Sequence, residues 1–103
     1  VMERQDAEEL ILSIPEIEVL SVESEKAREQ TYKDAVRSCD PNRLVGLLKY
    51  MRIRDEERRS LGKKSTAMDD RYMKLAESAL FSELEFVLDT DPEGIRASIA
   101  GSV

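Results

Sequence analysis

The chain has 103 residues, of which 37% are charged and 5% aromatic, so it has room for one small domain built from slim amphipathic helices rather than a sheet core. It contains one cysteine and no histidine, which excludes an intramolecular disulfide, a zinc site of clustered cysteine and histidine, and a nucleophile activated by histidine. It also lacks an apolar run of about 20 residues and a glycine-rich phosphate loop. We therefore expect a cytoplasmic protein with no membrane segment, no cofactor, no metal and no enzymatic activity.

The net charge of −6 is unevenly distributed along the chain. Residues 1–42 carry 11 acidic and 5 basic side chains, residues 43–74 carry 10 basic and 5 acidic ones, and residues 75–103 carry 6 acidic and 1 basic. A basic block within an acidic chain argues against indiscriminate nucleic-acid binding but permits an oriented contact with phosphate.

A first helix is predicted over residues 5–13, where apolar side chains recur with helical spacing. Pro15 ends it, because proline disfavours a helical conformation in the residue before it. Residues 15–23 are predicted as an extended linker, with a short strand as the alternative. We expect residues 1–23 to be a junction between domains and residues 24–103 to be a helical domain. Because the chain starts inside a segment patterned as structured, we expect it to be a fragment of a longer protein.

A second helix is predicted from about Ser24, a suitable N-cap, to Ser38. Its inner face is thin and holds few large apolar side chains. That face consists of Arg28, Tyr32, Ala35, Val36 and Cys39. We interpret Cys39 as a small buried hydrophobic residue at the end of this face.

Asp40 and Pro41 predict the start of a third helix, which runs to about Leu61 and ends at Gly62. Its core stripe consists of Leu44, Leu47, Leu48 and Met51. The last two turns are charged and either extend beyond the core or pair their charges.

A fourth helix is predicted over residues 67–88, with Thr66 and Asp69 resembling a capping box. Its apolar arc is wide, which predicts a central helix contacted from several sides. The arc consists of Met68, Tyr72, Leu75, Ala76, Ala79, Leu80, Leu84 and Val87. Glu83 lies inside the arc, and we expect it to be paired internally.

A fifth helix is predicted over residues 92–100, since Asp91 and Pro92 repeat the signature of a cap followed by proline. It would present Ile95 and Ile99 to the core. Together these patterns predict an all-α fold, a single-domain bundle of about five helices.

The basic block has two interpretations. It is either a solvated helix surface balanced by neighbouring acids or a face that binds phosphate. Lys63 and Lys64 are candidate phosphate contacts, because they stand in a loop before a helix N-terminus, where backbone amides also attract an anion.

Several segments resemble, in order, the helical C-terminal domain of the CarD/CdnL family of bacterial transcription regulators, which bind RNA polymerase. Residues 32–40 resemble the family's first helix in this domain, residues 54–58 the charged end of the next, and residues 75–84 the long helix after it. Residues 7–15 resemble the junction between the family's two domains. The resemblance covers about residues 7–88.

The resemblance implies that a Tudor-like N-terminal domain, missing from this chain, binds the RNA polymerase β subunit. The helical domain would then contact promoter DNA at the upstream edge of the melted bubble. By resemblance, the residues that contact DNA phosphates are Arg28, Lys33, Arg37 and Arg71. Many members of the family also insert a tryptophan into the minor groove. This chain has no tryptophan, and no aromatic residue stands where the wedge would fall.

The alternative is a helical protein-interaction module that does not bind DNA. Its contact surface would be Phe81, Phe86 and Leu88, which fall outside the main apolar arc or at its edge, with a homodimer as one form of the contact. On composition alone, a helical partner in an anti-sigma or toxin–antitoxin pair is a third interpretation.

Overall fold

The computed structural model describes residues 3–88 and 92–101, apart from the side chains of residues 83, 85–88 and 92. Within this part of the chain there are five α-helices and no strand, which confirms the predicted all-α bundle. The helices are α1 (Arg4–Ser13), α2 (Arg28–Ser38), α3 (Pro41–Ser60), α4 (Ala67–Leu88) and α5 (Pro92–Gly101). A single 3₁₀ turn, Ile14–Glu16, follows α1. None of the helices described combines the length and the apolar character needed to cross a bilayer.

Local capping chemistry sets the ends of α3 and the start of α4, as predicted. The Asp40 carboxylate accepts the backbone N–H of Asn42 at 3.0 Å. Gly62 follows α3 with a φ of 76°, a left-handed conformation that glycine adopts without steric cost. The Thr66 hydroxyl accepts the backbone N–H of Asp69 at 3.1 Å. The Asp91 cap predicted for α5 lies outside the described residues.

The start of α2 differs from the prediction. The Ser24 hydroxyl does accept a backbone N–H, that of Ala27, at 3.2 Å. However, residues 25–27 form a turn, and the α-helix begins at Arg28.

The prediction that Cys39 is buried is wrong. Cys39 follows the last residue of α2 and has a φ of 51°, which places it in the left-handed region. This conformation takes its side chain off the buried face of the helix, and the thiol is exposed. Helical spacing could not predict this, because the residue is no longer in the helix.

α4 is the central helix and contacts each of the other four. The predicted core stripes of α3 and α5 are buried, including Met51, Ile95 and Ile99. Leu75 was predicted inside the apolar arc of α4 but is 47% exposed, whereas Phe81 was predicted outside it and is 5% exposed. The reason is that α5 packs on the flank of α4 that carries Phe81. The predictions for Glu83, Phe86, Val87 and Leu88 concern side chains outside the described residues.

The N-terminal segment packs onto the bundle rather than standing apart from it. Leu20 donates its backbone N–H to the carbonyl oxygen of Gly46 at 3.1 Å. The Lys49 ammonium donates to the carbonyl oxygens of Ile14 and Ile17, the latter at 2.8 Å. The buried apolar side chains of α1 belong to the same core as those of α3 and α4. One hydrophobic core therefore includes the segment predicted as a junction.

Candidate nucleic-acid interface

One edge of α2 carries three charged residues at intervals of four, namely Glu29, Lys33 and Arg37. Residues at this spacing lie above one another on a helix surface. Glu29 accepts a hydrogen bond from the Arg71 guanidinium at 3.0 Å and one from the Tyr72 hydroxyl at 3.4 Å. Since both partners belong to α4, this edge of α2 borders α4. Lys33 and Arg37 lie on the same edge, one and two turns beyond Glu29.

The neighbouring surface of α4 is also cationic. Arg71 is exposed, and its guanidinium lies 5.0 Å from the centre of the Tyr72 ring, a geometry that favours a cation–π interaction. Lys74, three residues further on, is exposed on the same side of the helix. We use the term α2/α4 face for the surface formed by Lys33, Arg37, Arg71 and Lys74.

The four cations of the α2/α4 face differ in whether an acidic side chain pairs with them. Arg71 pairs with Glu29. Within the part of the chain that the structure describes, Lys33, Arg37 and Lys74 form no ion pair. Three of the four cations on this face therefore have no ion-pair partner among the described residues.

Arg28 does not belong to this face, although the resemblance assigned it to DNA. Its side chain is buried at 7% exposure, pairs with Glu25 and donates to the Tyr50 hydroxyl at 3.4 Å. The hydrogen bond from Arg28 lowers the pKa of Glu25, while the same bond raises the pKa of Arg28. A guanidinium held in this way is not presented to a phosphate, so we remove Arg28 from the candidate contacts.

Two further members of the basic block are interior. Arg54 pairs with Asp69 at 2.7 Å. Lys49 is 2% exposed, and burial lowers the pKa of its ammonium group. These two side chains stabilise the fold and do not contribute to a phosphate-binding surface.

A buried polar cluster positions the two helices of the face. Asp69 of α4 is 6% exposed and accepts hydrogen bonds from the Tyr32 hydroxyl at 2.8 Å and from Arg54 Nε at 2.7 Å. Burial raises the pKa of Tyr32, and its hydrogen bond to Asp69 adds to the shift. Sequence reasoning missed this cluster because its partners are 37 and 15 residues apart along the chain, beyond any local pattern.

Lys63 and Lys64 are exposed in the loop between α3 and α4, and Arg58 donates a hydrogen bond to the carbonyl oxygen of Lys64 at 2.9 Å. The loop lies directly before α4, which begins at Ala67, whereas Lys33 lies at the middle of α2 and Arg37 in its last turn. The structure brings Arg71 next to the edge that carries Lys33 and Arg37 and leaves the two loop lysines at one end.

No group of three or more cysteine, aspartate or glutamate side chains suited to a metal ion occurs among the residues that the structure describes. No protein-family model, curated protein or solved structure matches this chain.

Proposed function

We propose that this chain is the helical DNA-contacting domain of a CarD-like bacterial transcription regulator. The α2/α4 face would contact the phosphate backbone of promoter DNA near the upstream edge of the transcription bubble. The observation that supports this most directly is the alignment of Lys33 and Arg37 on the edge of α2 that borders Arg71 of α4. Cations without an ion-pair partner on one face of an acidic molecule favour an anionic partner in one orientation.

The contact is electrostatic and largely independent of base sequence. Lysine and arginine side chains neutralise phosphates and release condensed counterions, so binding weakens as salt rises. Four cations make a weak site by themselves. In the proposal, a domain outside this sequence binds the RNA polymerase β subunit and holds the α2/α4 face close to DNA. Such tethering raises the effective concentration enough for a weak contact to matter.

The test is fluorescence anisotropy with a forked promoter-like duplex, measured at several salt concentrations. The variant replaces Lys33, Arg37 and Arg71 with glutamine. We expect weaker binding on every duplex sequence. We also expect the salt slope to fall by about 0.9 for each phosphate that the variant no longer neutralises.

The matched control replaces three arginines outside the face, Arg4, Arg43 and Arg59, with glutamine. All three are exposed, and the net charge changes by the same amount. We expect this control to keep the salt slope of the parent. If the control and the face variant lose affinity and slope equally, the α2/α4 face is not the contact surface.

The alternative of a protein-interaction module receives less support from the structure. Phe81, one of its three proposed contact residues, is buried beneath Arg96, whose guanidinium lies 5.3 Å from the ring centre. Arg96 is itself held by Glu77 at 2.5 Å and by Glu93 at 2.6 Å. Phe81 is therefore not an exposed aromatic contact, whereas the side chains of Phe86 and Leu88 lie outside the described residues.

A further inference from the structure

An acidic side chain, Glu29, lies at the exposed border between the two helices of the α2/α4 face. Its carboxylate accepts hydrogen bonds from Arg71 at 3.0 Å and from the Tyr72 hydroxyl at 3.4 Å. The Glu29 side chain is 45% exposed and that of Arg71 is 61% exposed. The pair therefore stands at the surface that a phosphate would approach.

We propose that Glu29 is a built-in competitor for phosphate, which occupies Arg71 in the free protein and keeps the DNA affinity of the α2/α4 face low. This inference rests on the proposed function. Carboxylate and phosphate bind the same N–H donors of a guanidinium. A phosphate therefore reaches Arg71 only by displacing Glu29 or by sharing the guanidinium donors with it. The negative charge of Glu29 also repels a phosphate bound at Lys33, one helical turn away.

Glu29 is not needed to hold the two helices together. Tyr32 already joins α2 to α4 through two buried contacts. Its hydroxyl donates to Asp69, and its ring centre lies 5.7 Å from that of Tyr72. Ion pairs between exposed side chains contribute little to stability. Because Glu29 contributes little to stability, its effect in this proposal is on DNA binding rather than on folding.

The test compares Glu29→Gln with Asp34→Asn in the same anisotropy experiment. Glutamine keeps the size of Glu29 and an oxygen acceptor for Tyr72 but removes the charge. Asp34 is exposed on α2 about 140° around the helix from Glu29, so its substitution changes the net charge equally without touching Arg71. At low salt we expect Glu29→Gln to bind the duplex about fivefold more tightly than the parent, the factor for one unit charge at about 4 Å in water. We expect Asp34→Asn, which leaves the Glu29–Arg71 pair intact, to change affinity by less than about twofold, because the exposed charge of Asp34 is screened by solvent and salt.

A second pair of variants shows whether the effect acts through Arg71. In an Arg71→Gln background, there is no guanidinium for Glu29 to occupy, so most of the gain from Glu29→Gln should disappear. An undiminished gain in that background would overturn the proposal, and so would equal affinities of Glu29→Gln and Asp34→Asn.

The proposed function fails separately from this inference. If neither the parent nor Glu29→Gln binds the duplex at low salt, both are wrong. If the parent binds and Glu29→Gln is no tighter than Asp34→Asn, the DNA contact stands and only the role of Glu29 is wrong. If Glu29→Gln binds the duplex tightly and the parent does not, both the DNA contact and the role of Glu29 are supported, because the Glu29 carboxylate then prevents the parent from binding.

Discussion

Asp69 holds two side chains that come from different helices, Tyr32 of α2 and Arg54 of α3. The carboxylate is buried, so its negative charge compensates Arg54 where water contributes little. Removing one partner of such a pair leaves the other charge buried without compensation, which costs more than the pair itself contributes. Asp69 therefore links α2 and α3 to α4 through two hydrogen bonds of its buried carboxylate.

We predict that Asp69→Ala lowers the free energy of unfolding by about 3–5 kcal/mol, because it leaves Arg54 without its ion-pair partner and the Tyr32 hydroxyl without its acceptor. Urea unfolding followed by circular dichroism measures the loss. The matched control is Asp70→Ala, since Asp70 is exposed and its carboxylate accepts the Ser65 hydroxyl at 2.8 Å. We expect the control to cost less than about 1 kcal/mol. Equal losses for the two variants would contradict the role given to Asp69.

The raised pKa of Tyr32 predicts a loss of stability at alkaline pH. Burial raises the pKa of Tyr32 in the folded protein above that of the unfolded chain, which is about 10. The contribution of Tyr32 to the free energy of unfolding is fully present below that pH. It is lost as the pH rises, because the tyrosine of the unfolded chain then ionises while that of the folded protein stays protonated.

We expect the parent to lose stability more steeply than Tyr32→Phe between about pH 9 and about pH 11, by up to about 1.4 kcal/mol per pH unit. The measurement is the urea midpoint of each protein across this range. The other tyrosines and the lysines titrate in both proteins, so their effects cancel in the comparison. Parallel pH profiles would contradict the assigned shift.

At the residue scale, the sequence predicts what depends on neighbours along the chain. The caps at Asp40 and Thr66 are confirmed because each requires only a side chain and a backbone amide within three residues. Helical spacing placed Arg28 on the inner face of α2, and the structure buries it there, so the DNA contact that the resemblance implied for it has no exposed side chain to make it. The prediction for Cys39 is wrong. The left-handed turn at Cys39 takes its side chain off the helix face.

At the scale of the elements, the N-terminal segment lies directly against α3 at Gly46. A Cβ at this position would lie 2.8 Å from the carbonyl oxygen of Glu18, which belongs to the backbone of the linker. The linker is also hydrogen-bonded to α3 there, since Leu20 donates to the Gly46 carbonyl. The absence of a side chain on one turn of α3 thus fixes the path of the segment that crosses it.

We predict that Gly46→Ala destabilises the protein by about 1–3 kcal/mol, even though alanine is the better helix former. Gly94 in α5 supplies the control, because a Cβ there meets nothing within 4 Å. Gly94→Ala should be stabilising by about 0.5–1 kcal/mol. Thermal unfolding of both variants would show opposite shifts in Tm. A stabilising Gly46→Ala would mean that the linker does not lie against α3 at this position.

Helical spacing predicted the number and approximate limits of the helices, because each helix of this bundle carries its own apolar stripe. It could not predict which helix packs against which part of each apolar stripe. Phe81 falls outside the arc of α4 judged alone and is buried because α5 covers it. Leu75 falls inside that arc and is exposed because no described helix packs over it. The burial of these two residues depends on helix pairing rather than on local pattern.

For the molecule as a whole, the interface depends on bringing α2 next to α4. The Arg71–Glu29 contact joins residues 42 positions apart, so helical spacing alone could not place Arg71 against the edge of α2 that carries Glu29. The sequence did predict a basic block within an acidic chain. The structure then divides that block, since Lys49 and Arg54 are interior. Lys33 and Arg37, which the resemblance implied as DNA contacts, lie outside the basic block, in the acidic N-terminal part of the chain.

The central claim is that the α2/α4 face contacts DNA, and the most direct measurement is a map of backbone amide chemical shifts. ¹H–¹⁵N spectra of the chain would be recorded while a promoter-like duplex is added at low salt. We predict that the largest shifts cluster at residues 30–37 of α2 and 71–78 of α4 and are reversed by added salt. Shifts concentrated on α1 or α5, or none at all at low salt, would contradict the claim.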